Sequence, residues 1–125
     1  MIDTVLLRVV YAANVVVAGW IGLSCLFTEH RGALTVFEGT VEPSEGLRVT
    51  GALWLAIAVC SAWGLVRPAS MTGVLWLQLV YKATWLLVAA LPAWRAGEAY
   101  PSGMAGFFVV WVAALAVLLP WRALS

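Results

Sequence analysis

The sequence predicts an all-α integral membrane protein, a single domain built as a bundle of four transmembrane helices. Three observations predict it. Apolar residues make up 64% of the 125 and charged residues only 10%, whereas a soluble domain carries about 25% charged residues to cover itself with a wet surface. Four apolar runs follow one another, over residues 5–27, 49–66, 71–94 and 104–121, and a helix crosses the hydrocarbon core in about 17 to 25 residues. The runs do not alternate apolar with polar as barrel strands do. Lipid leaves backbone polar groups without partners, so runs of this kind must satisfy them internally, as helices.

The first run, Val5 to Phe27, is broken only by Arg8 and Asn14. It exceeds the apolar region of a signal peptide, about 7 to 15 residues, and no small-x-small cleavage site follows, so it is expected to stay as a span. Thr28 to Arg48 sets Glu29, His30, Arg31, Glu38, Glu42 and Glu45 among Leu34, Val36 and Phe37, a mixture suited to the headgroup region. Within it Pro43-Ser44-Glu45 predicts a helix start, Ser44 capping and Glu45 in the first turn. The second run is Val49 to Val66, and Arg67-Pro68-Ala69-Ser70 is a tight turn into the third, Met71 to Trp94, which holds Gln78 and Lys82. Arg95 to Gly103 leads to the fourth, Met104 to Trp121, where the indoles of Trp111 and Trp121 are the sole polar groups. That helix is expected to face lipid or an apolar partner and to leave polar contacts to the other three.

Composition excludes several functions. The net charge of +1 comes from scattered residues, and nucleic-acid binding needs a clustered basic patch. Cys25 and Cys60 are expected at depths about 17 Å apart from their positions on their helices, too far for a disulfide, which needs Cα atoms within about 7 Å. They read as small apolar fillers. His30 stands alone in the polar loop. No Ser-His-Asp set, metal-ligand cluster or phosphate-binding loop occurs, so no catalytic residue, metal or evident cofactor is assigned and the chain reads as a non-enzyme.

Lys82 demands a reason. It lies at the midpoint of the third run, where an ionised Lys costs about 2.5 to 3.5 kcal/mol on insertion scales, and no apolar run holds an acid to pair with it. Gln78 and Trp85, at i−4 and i+3, share its helix face. On the first helix Tyr11, Asn14, Ala18, Gly22 and Cys25 form one face; Asn14 falls near the depth of Lys82, and the small residues permit close helix approach. Gly51, Ala58, Ser61 and Ala62 offer a similar stripe on the second helix. Lys82, Gln78, Trp85, Asn14 and Tyr11 are thus the candidate ligand-binding residues. The alternatives are a structural Lys held by Asn14, Gln78 and Tyr11, one that snorkels to an interface, one that pairs with an acid of another subunit, or one that forms a Schiff base.

Gly19-Trp20-Ile21-Gly22 on the first helix, Phe37-x-Gly39 in the loop and Arg48-x-x-Gly51-x-Leu53-x-Leu55 opening the second helix resemble the DoxX-like families of small four-span bacterial membrane proteins. The resemblance covers most of the chain in layout. It implies a bacterial cytoplasmic membrane and a link to quinone or thiol redox chemistry. Two classes of function fit the residues. One is an accessory subunit or a bundle that binds a lipophilic ligand such as a quinone, alone in the bilayer, as a homo-oligomer or in a larger membrane complex. The other is a small transporter or channel, with an anion path past Lys82. A proton-coupled cation exporter needs an intramembrane carboxylate, which the runs lack. Both termini are expected in the cytoplasm, which places the acidic loop outside. Lys and Arg alone divide three against three between the two sides, so dual topology is the alternative.

Overall fold

The computed structural model describes residues 4–119, with the backbone alone at Glu29. Trp121, Arg122, Ser125 and the end of the fourth apolar run lie outside the described residues. Within them every regular element is helical: α1 (Thr4–Phe27), α2 (Glu29–Thr35), α3 (Glu45–Val66), a 3-10 turn (Pro68–Met71), α4 (Thr72–Trp85), a π-helical turn (Leu86–Ala90), α5 (Leu91–Ala96) and α6 (Ser102–Leu118). Pro68 to Ala96 runs as one continuous helical rod, and it, α1 and α3 are each long and apolar enough to cross a membrane. The fourth apolar helix, α6, has 17 described residues.

Two helix pairs make the bundle, α1 against α3 and α4 against α6. The first pair is tight because glycines meet at the crossing. A Cβ on Gly22 would lie 2.7 Å from the Leu55 nitrogen and 2.8 Å from the Gly51 oxygen. The predicted face of α1 is the buried one: Tyr11, Asn14, Ala18, Gly22 and Cys25 all point inward. On α3, Gly51, Ala58 and Ser61 are buried as expected, but Ala62 is exposed and Gly64 takes its place, with the Tyr11 ring against it. Each helix of the pair also closes the other's C-terminus. Arg8 Nε donates to the Leu65 carbonyl at 3.1 Å, and Arg48 Nε donates to the Leu26 carbonyl at 3.3 Å, groups that a helix end leaves without intrahelical partners.

The segment between α1 and α3 is ordered by its own chemistry. Gly32 lets α2 fold back onto α1, since a Cβ there would come within 2.9 Å of the Cys25 Cα. Ala33 and Val36 are buried, and Phe37 stacks on Trp54 at 5.8 Å. The chain then turns through left-handed Glu38 (φ 53°) and Gly39 (φ 74°). This aims the Glu38 carboxylate at the start of α6, where it accepts from the Gly103 N–H at 2.9 Å and from Ser102 Oγ at 3.4 Å. An anion at a helix N-terminus satisfies free N–H groups and the helix dipole together. α3 begins as its sequence predicts, with Ser44 Oγ accepting from the Leu47 N–H at 3.2 Å and Glu45 in the first turn.

The π-helical turn has a local cause. Pro92 has no N–H and its ring would clash with the carbonyl four residues back. The chain widens by one residue ahead of it, so that the Leu91 N–H reaches the Leu86 carbonyl. Such turns re-aim the side chains that follow. Here the widening comes one turn after Lys82.

Candidate functional site

Two apolar clusters fill the bundle. One, at the end closed by α2, gathers Ala18, Cys25, Ala33, Val36, Leu47, Trp54, Ile57, Ala58 and Phe108. The other, at the 3-10 turn, gathers Leu7, Val10, Tyr11, Leu75, Leu115 and Leu119. Buried Asn14, Ser61, Gln78 and Lys82 form a polar belt between them. Asn14 and Gln78 make a reciprocal amide pair: Asn14 Nδ2 donates to Gln78 Oε1 at 2.7 Å, and Gln78 Nε2 donates back to Asn14 Oδ1 at 3.1 Å. The second Asn14 proton goes to Ser61 Oγ at 3.2 Å. Three helices, α1, α3 and α4, are joined by side chains that answer one another.

Lys82 takes no part in that network. Its side chain is 4% exposed, and Nζ donates to Tyr81 Oη at 2.8 Å. The same hydroxyl accepts from Trp54 Nε1 at 2.9 Å. Nζ lies 4.0 Å from the Phe108 ring centre and 4.7 Å from that of Tyr81, within the range where an aromatic quadrupole attracts a cation. Tyr81 meets Phe108 edge-on at 6.0 Å, and Trp85 meets Phe108 edge-on at 5.4 Å. No carboxylate pairs with Lys82 among the described residues; the ion pair there is Arg48 with Glu45 at 2.9 Å.

Lys82 faces a cavity of about 230 Å³ with Asn14 and Gln78 at its deep end and Thr35 and Val36 under the α2 cover. Its walls are Trp54, Tyr81, Phe108 and Trp111, and Trp20 and Phe107 flank it where α1 and α6 stand apart. Trp20 is 57% exposed. The Trp111 Nε1–H is buried and has no hydrogen-bond partner, a state that costs about 1 to 3 kcal/mol. On the other side of the Trp54–Tyr81–Phe108 wall lies a larger groove of about 500 Å³, lined by Leu53, Cys60, Leu77 and Trp85 among others.

The candidate residues named from sequence are therefore divided. Asn14, Gln78 and Lys82 line one cavity. Trp85 belongs to the neighbouring groove. Tyr11 points the other way, and its hydroxyl donates to the Pro68 carbonyl at 2.7 Å. The residues that complete the cavity, Trp54, Tyr81, Phe108 and Trp111, were not in that set. Two of them come from α6, which was expected to face lipid or an apolar partner because it lacks polar side chains; its aromatic face lines the cavity.

Cys25 is buried, Cys60 is half-buried, and both are free thiols. No group of three His, Cys, Asp or Glu gathers to hold a metal ion among the described residues. Compared with known proteins, the chain matches no family model, no curated protein and no solved structure.

Proposed function

We propose that this is a four-span integral membrane protein that binds a lipophilic ligand through an acceptor head group at Lys82. The outward faces of all four long helices support the membrane reading: Val16, Trp20, Leu53, Val59, Leu77, Val88, Val109 and Val117 are exposed, while Asn14, Ser61, Gln78 and Lys82 turn inward. That inversion suits hydrocarbon as the solvent. α6 is the fourth span, and α2 lies along the headgroups over the cavity. The setting is a bacterial cytoplasmic membrane, in keeping with the layout shared with DoxX-like proteins.

One observation carries the ligand reading: a buried amine with a single hydrogen bond faces an aromatic-walled cavity that no carboxylate among the described residues reaches. An ammonium has three N–H donors, and Tyr81 uses one. A cavity of about 230 Å³ is larger than the engineered void of about 150 Å³ that accepts benzene, so it holds a head group of one ring or a few heavy atoms. A tail leaves between α1 and α6. Pockets of this form, apolar with a few convergent polar groups, are where small ligands commonly bind. The protein is thus a ligand-holding or accessory component. A proton-coupled cation exporter is disfavoured, since no Asp or Glu occurs between Glu45 and Glu98.

Lys82→Met tests this. Met keeps the length and removes the charge. The variant should keep its helical content and melt at an equal or higher temperature in detergent, because an intramembrane charge is costly. Native mass spectrometry should show a lipophilic molecule bound to the wild type and lost from the variant. Identical bound species in the two proteins would overturn the reading.

A further inference from the structure

We infer that the head group at Lys82 is a carboxylate and that the ligand is a long-chain fatty acid. The inference rests on the reading of the cavity as a ligand site and narrows it to one chemical class. The argument starts from donors and acceptors. Asn14 and Gln78 answer each other, and Ser61 takes the remaining Asn14 proton. The Tyr81 oxygen already accepts from Trp54 and Lys82. Among the donors of residues that line the cavity, two stand out: the further protons of Lys82 Nζ, which carry the charge, and the buried indole N–H of Trp111, which has no hydrogen-bond partner.

A ligand that fits these two donors presents acceptor atoms and no donor. A carboxylate does so, with two oxygens that together accept several hydrogen bonds. It also brings the negative charge that Lys82 lacks among the described residues, and a charge-assisted hydrogen bond is roughly twice as strong as a neutral one. A neutral carbonyl oxygen could accept from both donors but would leave the cation uncompensated. A phosphodiester with glycerol and two chains is too bulky for about 230 Å³, whereas a carboxylate with its first methylenes fits. The rest of a single chain passes Trp20 and Phe107 at the gap between α1 and α6, where the cavity meets the lipid-facing surface. Trp111 stacks on Phe107 at 5.3 Å, which fixes the indole that supplies the second donor.

The test uses the full-length protein, stripped of lipid and returned to nanodiscs of neutral phosphatidylcholine. Brominated oleate quenches tryptophan emission on contact, so binding is read directly; brominated methyl oleate carries the same chain without the charge, and brominated phosphatidylglycerol carries an anionic phosphate on two chains. Oleate should bind more tightly than its methyl ester by about tenfold or more, the value of one hydrogen bond to a charged group. Lys82→Met should erase that difference. Trp111→Phe, which keeps an aromatic ring in the stack, should weaken oleate several-fold and leave the ester unchanged. Equal binding of acid and ester to the wild type, or tighter binding of phosphatidylglycerol than of oleate, would overturn the carboxylate assignment. If Lys82→Met still releases a neutral lipophile by mass spectrometry, the ligand-site reading stands without it. If that variant releases nothing and oleate does not bind, both readings fall.

Discussion

Asn14 shows how a few polar atoms set the register of a bundle that is otherwise apolar. Its two amide protons reach Ser61 on one helix and Gln78 on another, and Gln78 returns a proton to it. A helix slipped by one residue would break all three contacts at once and leave amides unsatisfied where no water replaces them. Gln78→Leu alone should therefore cost about 1 kcal/mol, the measured range for buried polar deletions being about 1 to 3 in water and about 0.6 on average between membrane helices. The double change Asn14→Leu with Gln78→Leu should cost less than the sum of the single changes, because it removes both partners together. Thermal melts of the four proteins in one detergent give the coupling, and strict additivity would show that the pair carries no joint energy. This pair was within reach of the sequence, since Asn14 stands on the small-residue face of the first helix and Gln78 one turn from Lys82. Tyr81 was not. It neighbours Lys82 in sequence, about 100° away around the helix, and a search for residues three and four apart passes over it. The long Lys stem, with its own rotamers, brings Nζ back to the adjacent hydroxyl.

At the level of elements, glycine does two different things in this chain. Gly22 lies where α1 meets α3, and what a Cβ would strike is main chain, Leu55 N at 2.7 Å and Gly51 O at 2.8 Å. Backbone cannot rotate aside, so the helices must separate. Gly22→Ala should destabilise the protein by about 1 to 3 kcal/mol, the usual penalty for overpacking. Gly73 opens α4 with nothing within 4 Å of a Cβ, and Gly73→Ala should be neutral or stabilise by up to about 1 kcal/mol through helix propensity. Melting curves that moved equally for the two would contradict the crossing geometry. The small-residue stripes announced this pair in sequence because they recur at helical spacing on both partners. The role of α6 was hidden for the opposite reason. Phe107, Phe108 and Trp111 look the same in a sequence whether they meet lipid or a cation, and the choice depends on Glu38, far along the chain, which fixes where α6 begins. The widened turn before Pro92 was likewise legible only as a disturbance, since the residue that absorbs it is set by packing.

Taken whole, the molecule is two apolar clusters separated by a polar belt, with an apolar exterior and charged ends. The ends are unequal. Among the residues whose side chains are described, the end covered by α2 carries Arg31, Arg48 and Arg95 against Glu38, Glu42, Glu45 and Glu98, three cations to four anions and a net −1. The end at the 3-10 turn carries, among the described residues, Arg8 and Arg67 with no acid, a net +2. Counting basic residues alone gives little direction, and this is why orientation was the least legible property of the sequence. The membrane potential adds a bias that counts both signs. With the cytoplasm negative, each unit of charge on its favourable side is worth about 2.3 kcal/mol per 100 mV, so in the proposed membrane setting the net-negative end is expected outside and the net-positive end inside. The expected orientation would put the α2 cover of the Lys82 cavity toward the outer leaflet. Glu42 and Ser70 are exposed at the two ends, and cysteine at either position reports the side it faces. A membrane-impermeant maleimide should label Glu42→Cys in intact cells and Ser70→Cys only after the membrane is opened. The native Cys25 is buried, and Cys60 lies along α3 facing the apolar groove, so neither competes for a reagent confined to water. The reverse pattern would invert the assignment. Labelling of both variants in intact cells would mean that the two orientations coexist, and that the charge difference between the ends is too small to set a single one.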